Sequence, residues 1–105
     1  MPVKEIAGNQ VEVDDEGFMT NPDQWNEDIA KVLAAEEGIP ELTDGHWKVI
    51  NFVRSDYSEK GQVPTIRRMK KVGNIPTKHL YELFPNGPAK KAARVSGLSK
   101  PQGCV

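Results

Sequence analysis

The chain has 105 residues, enough for one domain around one modest core. It is 37% hydrophobic and 28% charged, with one cysteine and a net charge of −1, which excludes a disulfide-stapled fold. No apolar run approaches the roughly 20 residues of a membrane-spanning helix, and the N-terminus lacks the apolar core of a secretory signal, so a cytoplasmic protein is expected. The small net charge hides a polarity along the chain. Residues 1–52 carry 3 basic and 12 acidic side chains, and residues 53–105 carry 11 basic and 3 acidic. Either the C-terminal half meets an anionic partner, or the two halves attract one another.

In chain order, Val3 to Ile6 and Val11 to Val13 are β-prone runs around Gly8-Asn9, a pair that predicts a hairpin turn. Residues 17–19 are a candidate third strand. The acidic run Glu12, Asp14, Asp15 and Glu16 lacks the alternating ligand spacing of a calcium loop and reads as a solvated turn. Asn21-Pro22 predicts a helix start, with Trp25, Ile29, Val32 and Leu33 at helical spacing and Gly38 as its end. Thr43 caps the next helix, whose face carries Trp47, Ile50, Val53 and Tyr57, widened by Val49 and Phe52, and Gly61 closes it.

From Pro64 the pattern shortens. Ile66, Met69 and Val72 predict a short helix with Arg67, Arg68, Lys70 and Lys71 on its other face. Gly73-Asn74 makes a turn, and a second short helix buries Leu80, Leu83 and Phe84. A third helix covers Ala89 to Ser96, with Gly97 as its left-handed terminal residue. The last eight residues form no periodic pattern, and Pro101 and Gly103 discourage both helix and ladder. They read as an arm that, extended, spans about 25 Å.

Chemistry-bearing constellations are scarce. There is no phosphate loop, nucleophile elbow or paired-cysteine metal site, and His46 and His79 lie in separate helices without ligand companions, so no metal and no cofactor is expected. Cys104 stands out by position: a thiol next to the chain end is seldom buried, and a proline–glycine arm suits delivery. A prenylation box would need its cysteine where Gln102 stands. The segment from Pro64 to Phe84 also resembles a helix–turn–helix, which leaves a nucleic-acid-binding regulator as the rival reading. Its second helix offers few base-reading side chains, chiefly Lys78 and His79, and carries Glu82, so the pattern favours a structural helical corner over a DNA reader.

At Leu80-Tyr81, Leu83-Phe84-Pro85, Gly87-Pro88, Gly97, Lys100-Pro101 and Gly103-Cys104 the chain closely resembles the DsrC/TusE/RspA family of sulfur-trafficking proteins. Weaker similarity at Gly17-Phe18, Trp25, Glu36 to Ile39, His46-Trp47, Phe52, Pro64 and Arg67 extends it over the whole chain. The resemblance implies a mainly α (α+β) fold: a compact helical domain with a small N-terminal β-hairpin and a helix-turn-helix-like corner. One globular domain, residues 1–97, would be followed by a mobile arm, residues 98–105. It implies that Cys104 accepts sulfur as a persulfide and passes it on, as a sulfurtransferase-type carrier rather than an enzyme with its own turnover site. Implied partners are sulfurtransferase donors and acceptors, either a tRNA-thiolation complex or sulfite reductase, with no membrane role and direct nucleic-acid binding as the lesser alternative. Arg67 would guide the arm and Lys100 would ride on it, along with Pro101 and Gly103.

Two positions depart from the family. The dissimilatory branch uses a second cysteine eleven positions before the terminal one, and here that position is Ala93. Without it the chain cannot form the intramolecular disulfide or trisulfide of that branch, while the single-thiol role survives. Ala93 is also what an engineered cysteine-to-alanine exchange would leave. Ser99 stands where the family usually has proline, which should loosen the arm.

Overall fold

The computed structural model describes residues 3–101. Two strands, β1 (Val3–Ile6) and β2 (Asn9–Glu12), pair antiparallel with Lys4 opposite Val11 and Ile6 opposite Asn9. Ile6 and Val11 share the inward face and are buried. The turn falls on Ala7-Gly8, both at positive φ, one residue earlier than the predicted Gly8-Asn9. Asn9 instead opens β2, where its amide donates to Ala7 O at 3.0 Å. The predicted third strand is reduced to a single bridge between Val13 and Met19. Between them the Asp14 carboxylate accepts from the Glu16 and Phe18 amides, both at 2.9 Å. The acidic run is thus a turn closed by its own side chain.

Asn21-Pro22 opens only a 3-10 turn, Pro22–Gln24, and the helix begins again at a second cap. The Asn26 side chain accepts from Ile29 N at 2.9 Å, and α1 runs Glu27–Glu36. Trp25 therefore lies outside the helix that its spacing predicted. It occupies the extended link between turn and helix, and that placement sends its indole toward the C-terminal part of the chain.

The long helix α2 (Asp44–Lys60) starts after Thr43 and ends at left-handed Gly61, as the sequence predicts. Its start is tied down by His46. The Thr43 amide donates to His46 Nδ1 at 3.0 Å, which leaves the proton on Nε2 to donate to Leu83 O at 2.9 Å. Both ring nitrogens are used, so His46 joins the start of α2 to Leu83.

The short helices follow as α3 (Ile66–Lys71) and α4 (Thr77–Leu83). Their connecting turn needs Gly73, since a Cβ there would lie 2.8 Å from Met69 O and 3.0 Å from the Phe52 ring. Met69, Ile75, Leu80 and Phe84 are buried, but Val72, expected on the inner face of α3, is 57% exposed because α3 has ended at Lys71. The last helix, α5 (Pro88–Val95), packs against α1, α2 and α4. Its inner face of Ala92, Ala93 and Val95 is fully buried. Small side chains there let the helices approach closely.

Candidate functional site

The end of α5 is where the C-terminal segment takes its direction. Gly97 N–H donates to Arg94 O at 3.1 Å and Leu98 N–H to Ala93 O at 3.0 Å, the paired bonds of a Schellman ending. Gly97 holds φ +73, as the sequence predicts. Leu98, the first residue of the expected arm, is 1% exposed and belongs to the core. The chain is thus still pinned three residues after the helix has ended.

Two side chains close around this point. Trp25 Nε1 donates to Val95 O at 2.9 Å. The Arg54 guanidinium lies 4.1 Å from the centroid of the Trp25 ring, donates through Nη1 to Ser96 O at 2.8 Å, and reaches Pro22 O through Nη2 at 3.3 Å. Burial lowers the Arg54 pKa from its ordinary value, an effect opposed by the Asp23 carboxylate, and a guanidinium remains charged throughout. The last carbonyls of α5 are therefore not left to water. They are held by a cation from the middle of α2 and an indole from the link before α1.

Beyond Leu98 the segment passes Glu16 of the N-terminal half. Lys100 Nζ pairs with Glu16 at 3.0 Å, though both are exposed. Arg94, on the last turn of α5, binds the Glu36 carboxylate, approaches Glu37 at 3.7 Å and donates from Nε to Gly17 O at 3.4 Å. Desolvation works to raise the Glu36 pKa, but hydrogen bonds from Arg94 and Lys4 outweigh it and hold the carboxyl below the usual range. These pairs join the two oppositely charged halves of the chain, so part of the charge polarity is consumed inside the fold. Beside them runs a shallow groove lined by Glu16, Phe18, Asn86, Lys90, Lys91 and Arg94.

The sequence-predicted site residues separate into groups. Lys100 and Pro101 lie on the segment leaving the domain. Cys104 and Gly103 fall outside the described residues. Arg67 is exposed on α3 and makes no ion pair or hydrogen bond among the described residues. Its neighbour Arg68 instead grips the buried Asp56 carboxylate through two nitrogens at 2.7–3.0 Å. Ala93 is fully buried on α5, so the position of the family's second cysteine faces the core. Among the described residues no cluster of three or more His, Cys, Asp or Glu side chains could hold a metal.

Sequence reading missed Arg54 and misjudged Trp25. Trp25 sits at the spacing of a core-facing helical residue, and Arg54 looks like any solvated charge at the margin of the apolar face of α2. A signal was available: Arg54 follows Val53 and precedes Tyr57, positions that border a buried stripe.

The family model for DsrC like protein matches residues 5–105. The chain belongs to the DsrC-like family. It is similar to the sulfurtransferase TusE homolog of Haemophilus influenzae, at 44% identity over 95% of this chain and 97% of that protein. A chain in the crystal structure of dissimilatory sulfite reductase I (DsrI) superposes with a TM-score of 0.87 at 39% identity, covering 99% of this chain and 100% of that one. The NMR structure of Allochromatium vinosum DsrC gives 0.80 at 43% identity, over 98% of this chain and 97% of that one. The DsrC-like fold expected from the C-terminal motifs is therefore the fold observed, with five helices and one two-stranded hairpin among the described residues.

Proposed function

We propose that this chain is a sulfur carrier that takes a single sulfur atom onto Cys104 as a persulfide and hands it to a partner protein. The observation that carries this is the lone cysteine of a DsrC-like chain, six residues beyond the pinned Leu98. The step balances without net oxidation. The Cys104 thiolate attacks the outer sulfur of a donor persulfide, the donor's S–S bond breaks, and the donor leaves as a thiolate. An acceptor thiolate then attacks the outer sulfur now on Cys104 and releases it in turn. Such exchange asks for reach and for a thiolate, and an ordinary cysteine near pKa 8.5 supplies about 3% thiolate at pH 7.

The proposed partners are a sulfurtransferase donor and an acceptor enzyme in the cytoplasm. The names of the relatives, a sulfurtransferase and a sulfite reductase, support two settings for that acceptor: a tRNA-thiolation relay or dissimilatory sulfur metabolism. Ala93 favours the relay, because the second thiol needed for an intramolecular disulfide is missing. No helix among the described residues is long and apolar enough to cross a membrane. Lys100 and Pro101 belong to the delivering segment in this reading, Gly103 lets its end turn, and exposed Arg67 meets the partner or the returning arm.

The test is loading with glutathione persulfide followed by trapping with an alkylating reagent. The native chain should acquire a reducible sulfane sulfur, and Cys104→Ala should acquire none while keeping its circular dichroism and unfolding midpoint. Retained loading in Cys104→Ala would overturn the assignment.

A further inference from the structure

We propose that Arg54 is a positioning residue for sulfur transfer: by holding Ser96 O and stacking on Trp25, it fixes the point and direction from which the C-terminal segment leaves the domain. The inference rests on the sulfur-carrier reading for its purpose, but its geometry stands without it. Arg54 acts through the backbone, at Ser96 O and Pro22 O.

Length makes the exit point decisive. From buried Leu98 to Cys104 there are six residue steps, a tether of at most about 20 Å. The domain measures 35 × 28 × 20 Å. A chain of that length cannot reach the whole surface, so the side on which it starts selects the surface that the thiol can serve. Arg54 and Asp56, two residues apart on α2, point about 200° from one another around its axis. Arg54 faces the end of α5, whereas Asp56 faces α3 through Arg68. The tether therefore starts on the side of α2 away from α3, and Lys100 continues it toward Glu16 and the groove along α5.

The clamp is built in a way that a purely structural anchor would not require. The Schellman bonds of Gly97 and Leu98 already end α5. Arg54 adds a bond to Ser96 O, one residue before the chain reverses, and a second to Pro22 O across the junction. Only a planar guanidinium can stack on the indole and reach two carbonyls at once; a lysine ammonium is a point charge on a flexible stem. Ser96 itself is fully buried and its hydroxyl has no partner among the described residues, so its carbonyl, held by Arg54, is the polar anchor at that position.

Because Cys104 is the only cysteine, its reach can be measured with one added thiol at a time. Lys90→Cys places a thiol in the groove beside Glu16, and Lys70→Cys places one on α3. One equivalent of Ellman's reagent converts one thiol to a mixed disulfide and releases one thionitrobenzoate. The second thiolate then displaces the other thionitrobenzoate, closing a disulfide, and that rate reads the proximity of the two positions. With Arg54 intact, closure to position 90 should be about tenfold faster than closure to position 70, the kind of factor that orientation supplies. In Arg54→Met the two rates should converge to within about twofold to threefold. Comparing the rate ratio between backgrounds cancels differences in reactivity between the two introduced thiols. If Arg54→Met does not fold, Arg54→Lys serves, since it keeps the charge but cannot span both carbonyls.

An unchanged ratio in the folded variant, or no preference in the native background, would overturn the proposal. A loss of stability alone would not change the ratio measured on folded protein. The assay uses no persulfide, so failure of Cys104 to load sulfur would remove the function while leaving the positioning result to be judged separately.

Discussion

Trp25 and Gly97 are packed so closely that no side chain fits between them: a Cβ on Gly97 would lie 2.4 Å from Trp25 Cδ1. The indole reaches this point because its chain link leaves the 3-10 turn extended, and its Nε1–H is held by Val95 O. One contact thus joins the start of α1 to the end of α5 and sets where the C-terminal segment begins.

Gly97→Ala combines the strain of a left-handed residue with a clash that the clamped indole cannot relieve. It should lower stability by about 2–4 kcal/mol, read from guanidinium unfolding midpoints at constant slope. Trp25→Phe keeps the stack and removes one hydrogen bond, and should cost about 1 kcal/mol.

His46→Ala should be as severe without touching sulfur chemistry. It strips the Thr43 amide and Leu83 carbonyl of their partners and opens space beside Phe84, whose ring meets His46 edge-on at 5.2 Å. A loss of about 2–4 kcal/mol is expected, with loading of Cys104 by glutathione persulfide unchanged in the folded fraction.

Asp56 makes stability acid-sensitive. The Arg68 hydrogen bonds hold its carboxyl below the usual range against the opposing effect of burial. Its folded pKa lies below its unfolded one, so the contribution is fully present above about pH 4 and fades as the pH falls through the lower folded value. Arg68→Met should flatten the fall in unfolding midpoint between about pH 4 and pH 2. Glu36, also depressed, leaves a residual slope in that variant.

Ala93→Cys restores a second thiol at a position that is fully buried. Iodoacetamide should therefore add one adduct to the native variant, at Cys104, and two only after denaturation. Two adducts on the folded protein at equal rates would show that α5 opens far more readily than its packing indicates.

Much of this architecture can be read from the residues. The caps at Thr43, Gly61 and Gly97 and the apolar spacing of α2 and α4 are local signals, and local signals fixed those boundaries. The errors share one cause. Asn21-Pro22 and Asn26 are both good helix starts, and the choice between them depends on where Trp25 must go to meet Gly97, a partner 72 positions away. Val72 fits the period of α3, but the helix has ended at Lys71, ahead of a turn at Gly73 where a Cβ would meet Met69 O and the Phe52 ring. The site was legible as a thiol near the chain end and a family motif. Its root was not, because Arg54 gains its role only when α5 brings Ser96 O to it.

The most direct test of the central claim is intact-mass spectrometry of the native chain beside Cys104→Ala after incubation with a persulfide-loaded sulfurtransferase. The native chain should gain one sulfur atom, lost again on reduction, and the variant should gain nothing. A native chain that stays at its original mass, or a variant that gains the same sulfur, would contradict a carrier working through Cys104.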